Sequence, residues 1–380
     1  MFVAVSGAMG LAISEAALRL QEPFLHLMER KYNYGALIVS NPVWDHGLRP
    51  SMTLASAWMD PVRYPRPITY STNSDGCRYP VDLRVPKPHG VRRILVLGDS
   101  FTLGYYYEDT VAAQLEGRLN ARVAGEHFEV VNCASPSHSP LLYYLRLKHQ
   151  LIDLQPDELL LNIDPTDVFD DYWRYRPRCV FALGGEPLAV RGSVSSSRRA
   201  LEWALGKLYV ARVLWSVRST AGARAGPQSS GREAPTDPNI FAYYSTLPVE
   251  SEAWQKEVGF CLENISRILD FCRQHGVVVT VTMVPHQEQL RAGADGKIWN
   301  REFDRRVEKL CRDAGVDFYS PADGLARELN AGQPLYLESD MHFTVEGERL
   351  WSGLLADFFI AQEGQRLERS HLAPLAATAP

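Results

Sequence analysis

Short apolar runs alternate with longer segments of helical period along much of the chain. Such runs predict strands that are buried on both faces, and segments with a period near 3.6 predict amphipathic helices. Strands that alternate with helices are typical of a parallel sheet covered on both sides. The pattern therefore predicts an α/β fold, a three-layer α/β/α sandwich with a central parallel sheet and an inserted region. The predicted strands are 93–97, 128–132, 158–163, 277–284 and 316–319, and the predicted helices are 110–119, 141–154, 252–275, 301–314 and 345–360.

The alternation is confined to residues 91–362, which we predict to be one domain with an insertion at 172–250. Residues 25–90 are rich in Pro, Tyr, Trp and Arg and predict an irregular, aromatic-rich lead-in. Residues 363–380 are a C-terminal tail. Within the insertion, 191–237 is basic and partly amphipathic. It predicts a solvated surface, with a cap over the active site or a contact to an anionic partner or membrane as the alternative.

The N-terminal segment 1–24 allows two interpretations. Phe2–Ile13 is apolar, but Glu15 and Arg19 interrupt the run before the roughly 20 residues that a spanning helix needs. The segment is either the end of a membrane anchor or an amphipathic helix packed on the protein. The anchor interpretation predicts membrane association through the N-terminus and a membrane-anchored or periplasmic protein rather than a cytoplasmic one.

Charge and composition exclude several classes of protein. The net charge of -5 argues against nucleic acid as the main partner, because phosphate binding needs an excess of Lys and Arg. No P-loop or dinucleotide glycine fingerprint opens a predicted helix. The six cysteines form no CxxC pair, so we expect buried thiols, with disulfides only if the protein is exported. We therefore expect neither a cofactor nor a metal, and the sequence does not indicate an oligomeric state.

A serine directly follows the first predicted strand of the sheet. Ser100 comes after Gly98, at the carboxyl end of a strand, where reactive groups lie in open α/β sheets. A serine hydroxyl needs a base that another group orients. Among ten histidines, His342 has that context, because Asp340 precedes it by two residues before the last predicted helix. Alone, the serine segment also fits a turn without chemistry, although the preceding apolar strand favours a reactive serine. The Asp-x-His segment alone favours a helix-capping loop with a surface histidine.

Together, the two segments resemble the SGNH (GDSL) hydrolase superfamily over residues 91–362. Ile94–Ser100 is similar to the first sequence block of that family, and Asp340–His342 is similar to the last, in the same order. The resemblance implies an α/β/α hydrolase that works without metal. In it Ser100 is the nucleophile, His342 the base and Asp340 the residue that orients His342. The short Asp-x-His spacing also occurs in carbohydrate-directed branches of the superfamily.

The middle blocks of the family pattern are altered. The second block is similar to Asn132–Ser137, with Ser137 where glycine is usual, and the third is similar to Asp164–Asp167, with Thr166 in place of asparagine. The resemblance implies an oxyanion hole made by Ser100, Ser137 and Thr166. Losing one such donor costs about 3 to 4 kcal/mol of transition-state stabilisation. We therefore expect the shorter threonine hydroxyl to weaken catalysis.

Three further segments resemble SGNH proteins associated with bacterial cell-surface polysaccharides: Asn73–Arg78, Asp164–Asp171 and Pro285–Leu290. Each also has a structural interpretation. The first fits a turn, the second a solvated acidic loop or helix caps, and the third a structural histidine at the sheet edge. The candidate substrate-binding residues are Asp99, Asn132, Asp167 and His286.

The resemblance implies a serine-dependent ester hydrolase or O-acyltransferase that acts on acyl esters of a carbohydrate, with acetyl as the expected acyl group. Hydrolysis and transfer share the first half-reaction, so the triad does not separate them. A lipid esterase or thioesterase is the second hypothesis. The third is a catalytically weak SGNH domain that serves as a binding or assembly component of a polysaccharide machine.

Overall fold

A computed structural model of the chain describes residues 2–20, 34–56, 68–104, 109–191, 196–222, 248–291, 301–337 and 341–372. Its strands group into one larger sheet and three two-stranded antiparallel sheets. In chain order they are β1 (Ile38–Asn41), β2 (Asp45–Leu48), β3 (Met52–Ser56), β4 (Ile68–Thr72), β5 (Val91–Leu97), β6 (His127–Asn132), β7 (Glu158–Ile163), β8 (Cys179–Phe181), β9 (Pro187–Val190), β10 (Val278–Met283) and β11 (Asp317–Tyr319).

The α-helices of the described residues follow the predicted alternation in the main domain. They are α1 (Phe2–Leu20), α2 (Tyr34–Leu37), α3 (Ser100–Leu103), α4 (Val111–Arg122), α5 (Pro140–His149), α6 (Thr166–Phe169), α7 (Ser196–Lys207), α8 (Tyr209–Gly222), α9 (Glu252–Gln274), α10 (Gln287–Leu290), α11 (Glu302–Ala314), α12 (Ala322–Asn330) and α13 (Val345–Leu372).

The central sheet has five parallel strands in the order β11-β10-β7-β5-β6. Every residue of β7 is buried, which explains why the middle strands are continuous apolar runs in the sequence. Because the strands are parallel, their carboxyl ends lie at one edge, and the segments that follow β5, β6, β7 and β10 meet there. This edge holds the candidate site.

Successive side chains of a strand point to opposite faces of the sheet, and each face has its own hydrophobic cluster. Leu95 and Leu159 lie in one cluster with residues of α5, α9 and α11. Val96 and Leu160 lie in another with residues of α4 and α13. The predicted three-layer α/β/α sandwich is confirmed.

The ends of two predicted helices differ from the structure. The helix predicted at 141–154 ends at His149, and Leu151–Leu154 is a separate 3-10 turn. The last helix continues to Leu372, beyond its predicted end at residue 360. Helix α4 is capped by Thr110, whose hydroxyl accepts a hydrogen bond from Ala113 N–H at 3.3 Å.

The parts of the chain outside the regular alternation pack on one another. β1 to β4 lie within the segment predicted as an irregular lead-in. Helices α7 and α8 lie in the insertion, and α1 packs on α8, where the Glu15 carboxylate accepts hydrogen bonds from the N–H groups of Tyr209 and Val210 at 3.0 Å each. Among the helices that the structure describes, none combines the length and the apolar character needed to cross a membrane.

Candidate active site

The turn that carries Ser100 is held tightly between β5 and α3. The Asp99 side chain caps α3, because its Oδ1 accepts a hydrogen bond from Phe101 N–H at 2.9 Å. A Cβ added at Gly98 would lie 2.1 Å from Thr102 Oγ1, so only glycine fits between the strand and the helix. On the other side, the Gly98 carbonyl accepts a hydrogen bond from Ser135 N–H at 3.2 Å. The turn therefore presents Ser100 at the carboxyl edge of the sheet in one orientation.

His342 lies against this serine. Its Nε2 is 2.8 Å from Ser100 Oγ, which is within the reach of a general base. The His342 ring is nearly buried and packs on Phe101, with ring centroids 4.7 Å apart. The two predicted residues, 242 positions apart in sequence, are thus brought together.

The loop around His342 is fixed by backbone pairing rather than by the helix alone. The His342 carbonyl accepts a hydrogen bond from Leu337 N–H at 3.0 Å, and Thr344 N–H donates to the Leu335 carbonyl at 2.9 Å. The Thr344 hydroxyl then accepts a hydrogen bond from Gly347 N–H in the first turn of α13. Asp340, the predicted orienting residue, lies outside the described residues, and its role stays a prediction.

Thr166, the predicted oxyanion donor after β7, is the first residue of α6. Its backbone N–H donates to Asp164 Oδ1 at 2.6 Å, and Asp164 N–H donates to Asp167 Oδ2 at 3.0 Å. The backbone donor of Thr166 is therefore already occupied by Asp164. Only its hydroxyl remains as a donor for a negatively charged oxygen.

Ser137, the other predicted donor, follows β6 at the same edge of the sheet. Its φ of 55° lies in the left-handed region, which favours glycine. The serine thus adopts the backbone conformation expected of the residue that it replaces. Its carbonyl accepts a hydrogen bond from the Tyr175 hydroxyl, which fixes the turn from outside the sheet.

Asn132, a candidate for substrate binding, is fully engaged inside the protein. Its amide donates to the Thr102 carbonyl at 2.9 Å, and its Oδ1 accepts a hydrogen bond from Ala134 N–H at 3.1 Å. The side chain therefore ties the end of β6 to α3. Asn162 supports the same helix, because its amide donates to Thr102 Oγ1 at 2.8 Å. Sequence reasoning missed Asn162, although a polar residue within an apolar strand was a signal.

Asp99 and Asp167 lie in an acidic cluster with Asp164 beneath the nucleophile. Burial and the charge of Asp164 raise the pKa of Asp99 well above its usual value, and burial with both neighbouring carboxylates does the same to Asp167. Ser100 Oγ is 3.1 Å from Asp99 Oδ2, so Asp99 could compete with His342 for the hydroxyl proton. The raised pKa of Asp99 favours its neutral form, which offers no carboxylate to that proton.

His286 lies behind the site rather than on its surface. Its Nε2 is 3.7 Å from Asp164 Oδ1. Its ring centroid lies 5.3 Å from that of Phe101, whose ring also packs on His342. His286 is 1% exposed, so it offers no open surface to a substrate in this structure.

The acidic segment is not the solvated loop that its composition predicts. Asp170 and Asp171 are buried, and Asp171 accepts hydrogen bonds from the Ser139 hydroxyl, Leu141 N–H and the Asn264 amide. Of the two structural interpretations, the solvated loop was wrong, because Asp171 joins the start of α5 and helix α9 to the segment that follows β7. Within the part of the chain that the structure describes, no group of three or more acidic, His or Cys side chains is arranged to hold a metal ion.

Comparisons with known proteins find only distant similarity. No family model and no curated protein matches the chain. Among solved structures, an acetylxylan esterase from Geobacillus stearothermophilus matches at 11% identity and a TM-score of 0.40, covering 70% of this chain and 92% of that one. A lipase/acylhydrolase from Enterococcus faecalis matches at 11% identity and a TM-score of 0.40, covering 71% and 96%. A GDSL-like lipase from Bacteroides thetaiotaomicron matches at 11% identity and a TM-score of 0.36, covering 71% and 89%. Similarity at this level does not establish a family or an activity.

Proposed function

We propose that the protein is a serine-dependent ester hydrolase or O-acyltransferase of the SGNH type, acting on acetyl esters of a carbohydrate. The 2.8 Å distance between Ser100 Oγ and His342 Nε2 carries the proposal, because a serine needs a base within hydrogen-bond reach to attack an ester. The carbohydrate and the acetyl group rest on the resemblance of the sequence blocks to polysaccharide-associated SGNH proteins.

In this mechanism Ser100 Oγ attacks the ester carbonyl while its proton passes to His342 Nε2. The carbonyl oxygen becomes negatively charged, and N–H and O–H donors at the sheet edge stabilise it. His342 then returns the proton to the leaving alcohol, and an acyl-Ser100 ester remains. Water or a sugar hydroxyl, deprotonated by His342, attacks this ester. The first outcome is hydrolysis and the second is transfer.

A serine-directed phosphonate probe tests the nucleophile and the base. We expect rapid labelling of the wild type, none of Ser100→Ala, and labelling slower by about 10⁴-fold or more in His342→Ala. Ser135→Ala is the matched control, because Ser135 is a buried serine of the same sheet edge whose hydroxyl has no hydrogen-bond partner among the described residues. Labelling that persists in Ser100→Ala would refute the nucleophile. A folded wild type that is never labelled would favour the binding or assembly component.

The acyl group and the acceptor need a second measurement. We expect faster turnover of p-nitrophenyl acetate than of p-nitrophenyl octanoate, and release of acetate from acetylated xylo-oligosaccharides. Preference for the octanoate ester would favour a lipid esterase. Adding an unmodified oligosaccharide and analysing it for new acetyl groups by mass spectrometry separates transfer from hydrolysis.

We also propose that α1 binds the surface of an anionic membrane, which places the reaction at a bacterial envelope. Met9 and Ile13 of α1 are 63% and 64% exposed, and Trp203 of the neighbouring insertion is 61% exposed. The insertion is rich in Arg and Lys, which favours anionic lipid headgroups.

Vesicle co-sedimentation of the full chain tests this surface. We expect binding to phosphatidylglycerol vesicles that is reduced several-fold by the double change Met9→Ser and Ile13→Ser. Leu183→Ser is the control, because Leu183 is also an exposed apolar residue but lies in the loop between β8 and β9. Equal binding by the α1 variant and the wild type would contradict the proposal.

A further inference from the structure

Two buried cysteines lie opposite one another beside the candidate site. Arg78 N–H donates to the Asn132 carbonyl at 2.8 Å, and these two residues form an isolated antiparallel bridge. In an antiparallel pair, the residue before Arg78 faces the residue after Asn132. Cys77 and Cys133 therefore also stand opposite one another. Opposite residues of antiparallel strands have Cα atoms about 4.5 to 5.5 Å apart, which is within the range that a disulfide spans.

The sulfur atoms are closer than unbonded atoms normally approach. Cys77 Sγ lies 2.8 Å from Cys133 Sγ, and both residues are fully buried. Even carbon atoms, which are smaller than sulfur, make van der Waals contact only at about 3.5 to 4.0 Å. The distance lies between ordinary contact and the about 2.05 Å of a disulfide, so a small side-chain movement would bring the two sulfurs to bonding distance.

The surroundings also favour thiol chemistry at one of the two cysteines. Arg146 is buried, and its Nη2 lies 3.5 Å from Cys77 Sγ while its Nη1 donates to the Cys133 carbonyl at 2.7 Å. Burial by itself would raise the pKa of the Cys77 thiol, but the hydrogen bond from Cys133 and the Arg146 charge bring it below its ordinary value. Burial raises the pKa of Cys133. A thiolate beside a guanidinium is the nucleophilic form of cysteine.

We propose that Cys77 and Cys133 form a disulfide bond when the protein folds in an oxidising compartment. The Cys77 thiolate attacks the disulfide of an external oxidant, such as a thiol-disulfide oxidoreductase, and one oxidant sulfur leaves as a thiolate. The Cys133 thiol then loses its proton and attacks the Cys77 sulfur of the mixed disulfide, and the second oxidant sulfur leaves. The two cysteines are oxidised, and the oxidant disulfide is reduced to two thiols. The exchange takes place during folding, while the sulfurs are still accessible to the oxidant and Arg146 already lies beside Cys77.

The bond would connect segment 73–78 to the residue that follows Asn132. Asn132 holds the Thr102 carbonyl of α3, so the bond would fix the base on which the Ser100 turn rests. The two cysteines are 56 positions apart, and a bond that closes a loop of this length restricts the unfolded chain. We therefore expect the bond to stabilise the fold and to hold the sheet edge near Ser100.

Thiol counting in the wild-type chain tests the proposal without any variant. The full chain is produced in the bacterial periplasm, purified without reductant, denatured and alkylated. We expect two of its six thiols to be protected until reduction, and the digest to contain one cross-linked pair of peptides, one with Cys77 and the other with Cys133. Alkylation of all six without reduction, or a bond between other cysteines, would overturn the proposal.

Variants show what the bond does. In Cys133→Ser every remaining thiol should be alkylated, whereas Cys272→Ala, a change at another buried cysteine, should keep the protected pair. Reductant should lower the Tm of the wild type and of Cys272→Ala by several degrees, and leave the Tm of Cys133→Ser unchanged. A reductant effect of equal size in Cys133→Ser would contradict the assignment. The test uses no substrate, so its result is independent of the proposed esterase activity.

Discussion

The two halves of the candidate site are built in different ways. The proposed nucleophile half, formed by Gly98–Leu103 and Met341–Thr344, places the His342 ring against Ser100 in a turn that only glycine allows. In the proposed oxyanion half, formed by residues 132–137 and 164–171, polar groups form hydrogen bonds to other groups of the protein. There the Thr166 N–H is bonded to Asp164, and Ser137 adopts a left-handed backbone.

The difference shows which parts of such a site depend on local sequence and which on the surrounding fold. A nucleophile at a strand end needs one tight turn and one partner. An oxyanion hole needs donors from two separate loops, aimed at a charge that exists only in the transition state. The second requirement is more easily altered by packing.

Gly98→Ala should produce the largest effect, because it disturbs the nucleophile half directly. The added Cβ would lie 2.1 Å from Thr102 Oγ1, and the helix that begins at Ser100 has to move. We expect a loss of about 1 to 3 kcal/mol in the free energy of unfolding, measured in urea. A displacement of about 1 Å at the nucleophile should slow phosphonate labelling by about 100-fold.

Gly117→Ala is the matched control for Gly98→Ala. Gly117 is an exposed glycine within α4, where an added Cβ meets no atom within 4 Å. Alanine should raise the free energy of unfolding by about 0.5 to 1 kcal/mol and leave labelling unchanged. If Gly98→Ala were as well tolerated as this control, the turn at Ser100 would be looser than described.

Thr166→Asn tests the oxyanion half by placing a longer hydrogen-bond donor, a side-chain amide, at residue 166. The threonine backbone N–H is occupied, and its hydroxyl is short, whereas the amide of asparagine extends further. We expect kcat for p-nitrophenyl acetate to rise about tenfold, a fraction of what one oxyanion donor contributes. Thr53→Asn, an exposed change on β3, should leave kcat unchanged. An unaltered or lower kcat in folded Thr166→Asn would mean that the oxyanion is stabilised without residue 166.

The strand and helix alternation was sufficient to predict the central sheet, because strands buried on both faces leave uninterrupted apolar runs. It could not predict β1 to β4 in the lead-in. Those strands are short and lie outside the alternating pattern, and their pairing is set by partners elsewhere in the chain. Periodicity records local burial and carries no information about distant contacts.

For the site, the sequence predicted the Ser100 and His342 pair, because the strand end and the segment before the last helix each leave a local signature. It did not reveal that Asn132 would hold α3 or that Asp171 would bind three donors inside the protein. A run of acidic residues predicts a solvated loop unless its hydrogen-bond partners are known. Here those partners lie in α9 and at the start of α5. The sequence alone therefore could not predict that the polar groups of this half form hydrogen bonds within the protein.

Asp170→Asn tests whether the oxyanion half holds uncharged carboxyl groups. Burial raises the pKa of Asp170 to about 7 against the opposing charge of Arg174, while an unfolded aspartate titrates near 3.8. Between these values the native state keeps a proton that the unfolded state has lost. The contribution of Asp170 to the free energy of unfolding should therefore fall as the pH rises from about 4 to about 7. In Asp170→Asn the slope in this window should be shallower by up to about 1.4 kcal/mol per pH unit.

Urea unfolding at pH 5, 6, 7 and 8 measures this slope. Asp270→Asn is the control, because Asp270 also pairs with an arginine, Arg273, but both side chains are at least half exposed. The control should have the slope of the wild type. A slope that Asp170→Asn does not change would mean that Asp170 is ionised in the native state throughout this range.

Ser137→Gly should produce the smallest effect and tests whether backbone strain limits the oxyanion half. Ser137 has a φ of 55° and Ser51 a φ of 49°, so the same substitution relieves the same kind of strain inside and outside the site. The relief, about 1 to 2 kcal/mol, is partly offset by the greater freedom of glycine in the unfolded chain. In both variants the free energy of unfolding, measured in urea, should therefore rise by less than about 1 kcal/mol. Because the backbone N–H of residue 137 is kept, kcat should stay within twofold of the wild type in both. A change in kcat confined to Ser137→Gly would show that the serine side chain takes part in the reaction, and the contrast between the two halves would then rest on Thr166 alone.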